Sequence, residues 1–225
     1  MKFEVLSRSG SSKSFATLAR SMTQSDSHKA NELYILSRLF DRSGGNLPII
    51  FPAIVELREK PDFVFASEGR HIGVEVTKFM PEQLARAESI ARKERCGMVL
   101  TPFDYDSPNR NNDEIRARLQ GHQVGLGDWV KISERADLHS DQMIKIILSK
   151  IKKVVVPNQQ LFDEHWLIIE DGMNMSSLQV SHMMPIIQHG IRAHTGAASF
   201  DLVLFLFMDS VCGFYKGQHF CFDSD

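Results

Sequence analysis

Apolar residues recur along the chain in two rhythms, one helical and one alternating. Leu33, Leu36, Leu39 and Phe40 fall on one helical stripe with Glu32 at its border, which predicts a helix from about Ser27. Ser25, Asp26 or Ser27 supplies its N-cap, and Ser43-Gly44-Gly45-Asn46 ends it. Residues 48–57 include a first strand. The Ala-, Arg- and Glu-rich run over 82–95 predicts a helix closed by Gly97. Residues 101–114 read as loop, a weaker helix follows to about Leu119, and 121–129 is turn-rich. Residues 140–153 predict an amphipathic helix with Met143, Ile144, Ile147, Leu148 and Ile151 on one stripe. Lys145, Lys150, Lys152 and Lys153 lie mostly off that stripe and read as its solvated face. A buried strand over 165–170, ended by Asp171-Gly172, precedes a helix from Ser176 or Ser177 to about His194. Residues 200–208 form another buried strand, and 211–222 a final edge strand.

The alternating rhythm is clearest over 60–78. Two β-type runs, Phe63-Val64-Phe65-Ala66 and His71-Ile72-Gly73-Val74-Glu75-Val76-Thr77, flank a glycine-containing turn, which signals a hairpin. With Glu68-Gly69 at the centre of the turn, Phe63 faces Val74, Phe65 faces Ile72 and Asp62 faces Glu75. One face then carries Phe63, Phe65, Ile72, Val74 and Val76, ready to bury. The other carries Asp62, Glu75 and Thr77 around the side-chain-free Gly73. Directly opposed residues have Cβ atoms about 4.5–5.5 Å apart, where like charges repel. Two carboxylates held so close point to a divalent cation or a shared proton.

The order of elements indicates an α/β sandwich around a mixed sheet. Residues 7–27 hold many serines and a single acid, Asp26, and the segment 1–27 reads as a flexible arm; 28–225 form the one domain. The segment Gly10-Ser11-Ser12-Lys13-Ser14 is no phosphate-binding loop, because Ser7 and Ser12 stand where both glycines are needed. An apolar fraction of 43% with 15 phenylalanines suffices for a sizeable core. The net charge of −2 provides no global basic field, so a polyanion would have to be met by a local patch. The longest apolar run, 202–208, is too short to cross a bilayer, and the N-terminus has no long apolar stretch of a secretory signal. Cys96, Cys212 and Cys221 include no CxxC and read as reduced thiols of a cytoplasmic protein, although Cys212 and Cys221 could be neighbours on a C-terminal hairpin. The nine histidines form neither HxH nor HExxH, which argues against zinc; His182 and His189 read as surface or packing residues. Glu170 and Asp171 read as a strand end and the cap of the following turn.

Pro61-Asp62 followed by Glu75-x-Thr77-Lys78 resembles the PD-(D/E)XK nuclease superfamily. The resemblance covers about residues 28–95 and the strands near 165–170 and 200–208. It implies a restriction-endonuclease-like α/β/α sandwich around a central mixed sheet, its β-hairpin carrying the acids. It also implies a Mg²⁺-dependent nuclease, with Mn²⁺ as substitute, hydrolysing phosphodiester bonds of nucleic acid, with DNA expected. Asp62 and Glu75 would then be metal ligands, the Val76 carbonyl a third, and Glu32 of the first helix a further one. Many such nucleases act as dimers, so a homodimer is expected; no membrane partner is.

The sequence departs from the family at one position. The family's lysine sits two residues after the second acid, where this chain has Thr77. Lys78 is adjacent, but strand alternation points it to the other face unless a bulge redirects it. Lys93 or Arg92 of the next helix are the candidate substitutes, with Gln83 as a polar site residue. Thr77 can orient a water but cannot stabilise charge as an ammonium does. The departure and the acidic net charge define an alternative, a nuclease-like domain without catalysis that serves binding or assembly. A third reading has the two acids as a structural pair satisfied by arginines such as Arg58.

Overall fold

Glu68 and Gly69 take φ angles of 48° and 77°, the left-handed pair that a two-residue hairpin loop demands. They join β3 (Phe63–Ser67) to β4 (Arg70–Phe79), with Phe63 opposite Val74 and Phe65 opposite Ile72, the register expected from the sequence. The computed structural model describes residues 2–5, 8–23, 26–44, 46–80, 82–94, 111–120, 132–155, 161–172, 175, 177–194, 199–207 and 210–223.

Around this hairpin lies a mixed eight-stranded sheet whose spatial order follows the chain. The strands β1 (Lys2–Val5), β2 (Ala53–Leu57), β3 and β4 pair antiparallel. Then β5 (Glu164–Asp171) pairs parallel with β4, and β6 (Leu202–Leu206) parallel with β5. A second antiparallel pair, β7 (Ser210–Tyr215) and β8 (Gln218–Asp223), completes the sheet. Every residue of β5 is buried, as a central parallel strand covered on both faces must be.

Helices cover both faces, so the fold is a three-layer α/β/α arrangement. On one face α1 (Arg8–Ser21) and α2 (Ser27–Arg42) put Phe15, Leu33, Leu36, Leu39 and Phe40 against Phe63, Phe65, Val74, Val76, Trp166 and Leu204. On the other lie α3 (Glu82–Lys93), α4 (Asn112–Gln120), α5 (Ile132–Lys150) and α6 (Ser177–His194). There Leu84, Ile115, Met143, Ile147 and Met183 pack on Phe79, Leu167, Ile169 and Phe205. Gly190 of α6 makes the α5–α6 approach close; a Cβ there would lie 2.3 Å from Ile144 Cδ1. No helix of the described residues is long and apolar enough to cross a membrane.

Four expectations are corrected. The segment read as a flexible arm is built into the fold: β1 pairs with β2, and Phe15 of α1 is fully buried. Its serines hide a spacing, Phe15 and Leu18 with Phe3, that buries one side of the helix. The single C-terminal edge strand is a hairpin, turned by Lys216 and Gly217 at φ 46° and 79°. Cys212 and Cys221 lie opposite each other on that hairpin and are joined as a disulfide, not held as reduced thiols. Finally, α4 begins at Asn112, inside the stretch read as loop, because Asn111 caps it: its Oδ1 accepts from the N–H groups of Asp113 and Glu114. The reading of 121–129, Gly97 and Cys96 lies outside the described residues.

Candidate functional site

Asp62 stands one step beyond the last residue pair of the β3–β4 ladder, opposite Glu75. Past the ladder's end the N–H of Val76 has no strand partner on that side, and Asp62 fills the gap: its Oδ2 accepts that N–H at 2.8 Å. The carboxylate therefore turns into the plane of the sheet instead of standing on the face with Glu75. Its backbone carbonyl accepts the N–H of Arg58 at 2.9 Å, which closes the β2–β3 connection beneath it.

Glu75 points to the α5 layer, as alternation along β4 requires, while Val74 and Val76 enter the core under α2. Its Oε1 accepts a hydrogen bond from Lys150 Nζ at 2.5 Å. Lys150 is the residue that sequence reasoning placed on a solvated face. It follows Ile147 by three positions, so it borders the buried stripe of α5 and reaches past it to the sheet. That border position was the available signal. Directly after it, a π-helical turn over Ile151–Val155 buries Ile151, Val154 and Val155 and leaves Lys152 and Lys153 exposed. Lys145 is exposed as expected.

The opposite layer contributes a second lysine that the sequence did not single out. Lys29 Nζ in the first turns of α2 donates to Glu32 Oε2 at 2.7 Å and to Asp62 Oδ1 at 3.2 Å. It also lies 5.4 Å from the centre of the Phe63 ring. Glu32 accepts from His28 Nδ1 through its other oxygen at 2.8 Å. Thus Glu32, Asp62 and Glu75, all more than nine-tenths buried, meet two ammonium groups from the two helical layers.

The other predicted residues divide. Val76 takes part through its backbone. Thr77 is half-buried on the Glu75 side of β4. Lys78 is exposed and alternates to the opposite face, and Lys93 and Arg92 are exposed at the end of α3. None of the three is bonded to Glu75, whose ammonium partner is Lys150. The backbone of Gln83 lies in α3 and its side chain is outside the description. Arg58 pairs with Glu56, which removes it as the partner of the acidic pair. Glu170 pairs with Arg38, and Asp171 Oδ2 accepts the Met175 N–H at 2.6 Å, the strand-end and capping roles expected of them. His182 forms a surface contact with Asp137.

Burial dominates the electrostatics. It raises the Glu75 carboxyl above the usual 4.5, the charge of Asp62 pushes the same way, and Lys150 only partly offsets them. Burial likewise raises Glu32, with the hydrogen bond from Lys29 opposing it. For Lys29, burial acts against the charged form, but the Glu32 hydrogen bond and the charge of Asp62 outweigh it and lift the ammonium above 10.5. Glu75 Oε2 is buried and has no hydrogen-bond partner among the described residues.

An unpartnered buried carboxylate oxygen costs free energy, on the order of 1–3 kcal/mol or more for a charged group. The Val76 carbonyl leaves β4 on the same side as its N–H, towards Asp62, because both groups of one strand residue point the same way. The donors are therefore all oxygen: two carboxylates and a carbonyl, the preference of Mg²⁺ and Mn²⁺. Among the described residues no group of three His, Cys, Asp or Glu side chains converges closely enough to hold a metal alone. Comparison of the chain with protein-family models, with curated proteins and with solved structures finds no match.

Proposed function

We propose that this chain is a metal-dependent nuclease of the restriction-endonuclease-like class, hydrolysing phosphodiester bonds of nucleic acid, with DNA as its expected substrate. Lys150 carries the reading. The sequence lacks a lysine on the face of Glu75, and α5 supplies an ammonium to that carboxylate from elsewhere in the chain. The order of elements supports it as well: α2, the antiparallel β2–β3–β4 with the acids, a helical crossover to parallel β5, then α6 and β6.

In this reading Asp62, Glu75 and the Val76 carbonyl hold Mg²⁺ or Mn²⁺. Bound there, the ion would lower the pKa of a coordinated water and neutralise charge on the phosphate. The protein's own residues do the rest. The Val76 N–H fixes the rotation of the Asp62 carboxylate. Glu75 keeps one oxygen free for the cation while Lys150 binds the other. Once a cation shares the negative charge of Glu75, the Lys150 ammonium is free to donate to a phosphate oxygen, where charge develops in phosphoryl transfer. Thr77, on the same face, can hold a water by its hydroxyl.

One observation favours the alternative, a non-catalytic binding or assembly module: each acid already has an ammonium partner within the chain. One assay separates the two. The full chain is incubated with Mg²⁺ or Mn²⁺ and end-labelled single- and double-stranded DNA and RNA. Cleavage that disappears in Glu75→Gln and Lys150→Ala is expected. A folded protein that cleaves none of these substrates sinks the nuclease and leaves the module.

A further inference from the structure

Resting on that cation-dependent reading, we infer that Lys29 is a resident cation: its ammonium occupies the place beside Asp62 and Glu32 that a second divalent ion would take. The site therefore holds a single ion, on the Glu75 side of Asp62.

The cradle around Lys29 is built from groups that also suit a metal. Its Nζ meets Glu32 Oε2 at 2.7 Å, Asp62 Oδ1 at 3.2 Å and the Asp62 backbone carbonyl at 3.4 Å. These are hydrogen-bond lengths, well beyond the roughly 2.0–2.1 Å of Mg²⁺ to oxygen, so the pocket is sized for an ammonium. Two carboxylate oxygens and a carbonyl are the same donor classes that Asp62, Glu75 and Val76 offer on the other side. The difference is occupancy. Asp62 Oδ1 and both oxygens of Glu32 are engaged, whereas Glu75 Oε2 is buried with no hydrogen-bond partner among the described residues.

Charge points the same way. Glu32, Asp62 and Glu75, when ionised, bring three negative charges, and Lys29 and Lys150 two positive ones. One negative charge remains, and without Lys29 it would be two. Lys29 is also misplaced for helix stability: it sits near the N-terminus of α2, where a cation opposes the helix dipole and where the first turn holds no acid. Its position makes sense through the carboxylates it joins.

The inference is tested by counting bound Mn²⁺, by calorimetry and by electron paramagnetic resonance, on the full chain. Wild type takes up one ion. Lys29→Met takes up a second, and Glu32→Gln in that background loses it again. Should Lys29→Met fail to fold, Glu32→Gln beside an intact Lys29 decides: Mn²⁺ affinity is unchanged, because Glu32 serves Lys29 and not the ion. An affinity loss of about tenfold or more in that variant would make Glu32 a ligand and overturn the inference. So would two ions in wild type, or one ion in a folded Lys29→Met. Either of these leaves the nuclease reading standing, whereas a chain that binds no Mn²⁺ brings down both.

Discussion

Two buried glutamates on neighbouring strands, Glu75 of β4 and Glu164 of β5, are served very differently. Glu164 is saturated: Oε1 accepts from Arg70 at 2.7 Å and Tyr215 at 3.0 Å, and lies 3.5 Å from Lys216, while Oε2 accepts from Trp166 Nε1 at 2.8 Å. Its partners come from β4, β5 and the β7–β8 hairpin, so it ties the sheet together. Glu75 has one lysine and one bare oxygen. Both pay to be dehydrated, but only Glu164 recovers that cost within the folded chain. In the proposed reading, the cation supplies what Glu75 lacks among the described residues.

The comparison breaks first if the roles can be exchanged by mutation. Glu164→Ala leaves the indole N–H of Trp166, which is 1% exposed, without a partner. Arg70 and Lys216 are 42% and 60% exposed and rehydrate, so the loss sits near the lower end of the range for breaking a buried pair, about 3 kcal/mol. Urea unfolding measures it, and Mn²⁺ binding by the folded variant stays as in wild type. A variant as stable as its parent would show that the saturated hub does not hold the sheet.

Glu75→Gln should do the converse. Its unfolding free energy changes by less than about 1 kcal/mol, because losing the bond to the partly exposed Lys150 is set against relief of a buried charge. Cleavage of nucleic acid falls by about 10²–10³-fold or more, and Lys150→Ala loses a similar factor, as expected for groups aimed at developing charge. If Glu75→Gln instead unfolds the protein while the residual folded fraction cleaves normally, Glu75 belongs with Glu164 as a structural residue.

The same contrast explains what the sequence revealed. The register that sets Asp62 opposite Glu75 was legible because Glu68-Gly69 is a local signal: a two-residue loop needs positive φ, and glycine supplies it. Lys216-Gly217 carries the same signal and turns the C-terminal hairpin, so the single edge strand read there was avoidable. In the N-terminal segment the placement of Phe3, Phe15 and Leu18 outweighs the serine content and buries the helix. Lys29 and Lys150 were not legible as a pair. They come from opposite layers of the sandwich, and only the sheet between α2 and α5 brings one to Glu32 and Asp62 and the other to Glu75. Local pattern fixes the acids; tertiary packing chooses their cations.

The subtlest test is the pH dependence of stability, where the sign is decided by the unserved oxygen. Burial and the charge of Asp62 hold the folded Glu75 carboxyl above 4.5, its ordinary value in an unfolded chain. The folded state therefore keeps that proton longer than the unfolded state does. The corresponding stability is fully present below pH 4.5 and is lost as pH rises through the raised folded value. Glu32, raised in the same direction, adds to the descent, while Lys29 contributes only above 10.5. In chelator-containing buffer, urea midpoints should thus decline from pH 4.5 upward, and Glu75→Gln should flatten part of that decline. Saturating Mn²⁺ reverses the trend, because the cation needs the ionised carboxylate and stabilises only the state that holds it. Over the same pH interval the two curves move apart, and Glu75→Gln closes the gap. Parallel curves with and without Mn²⁺ would mean that the open oxygen of Glu75 meets nothing but water.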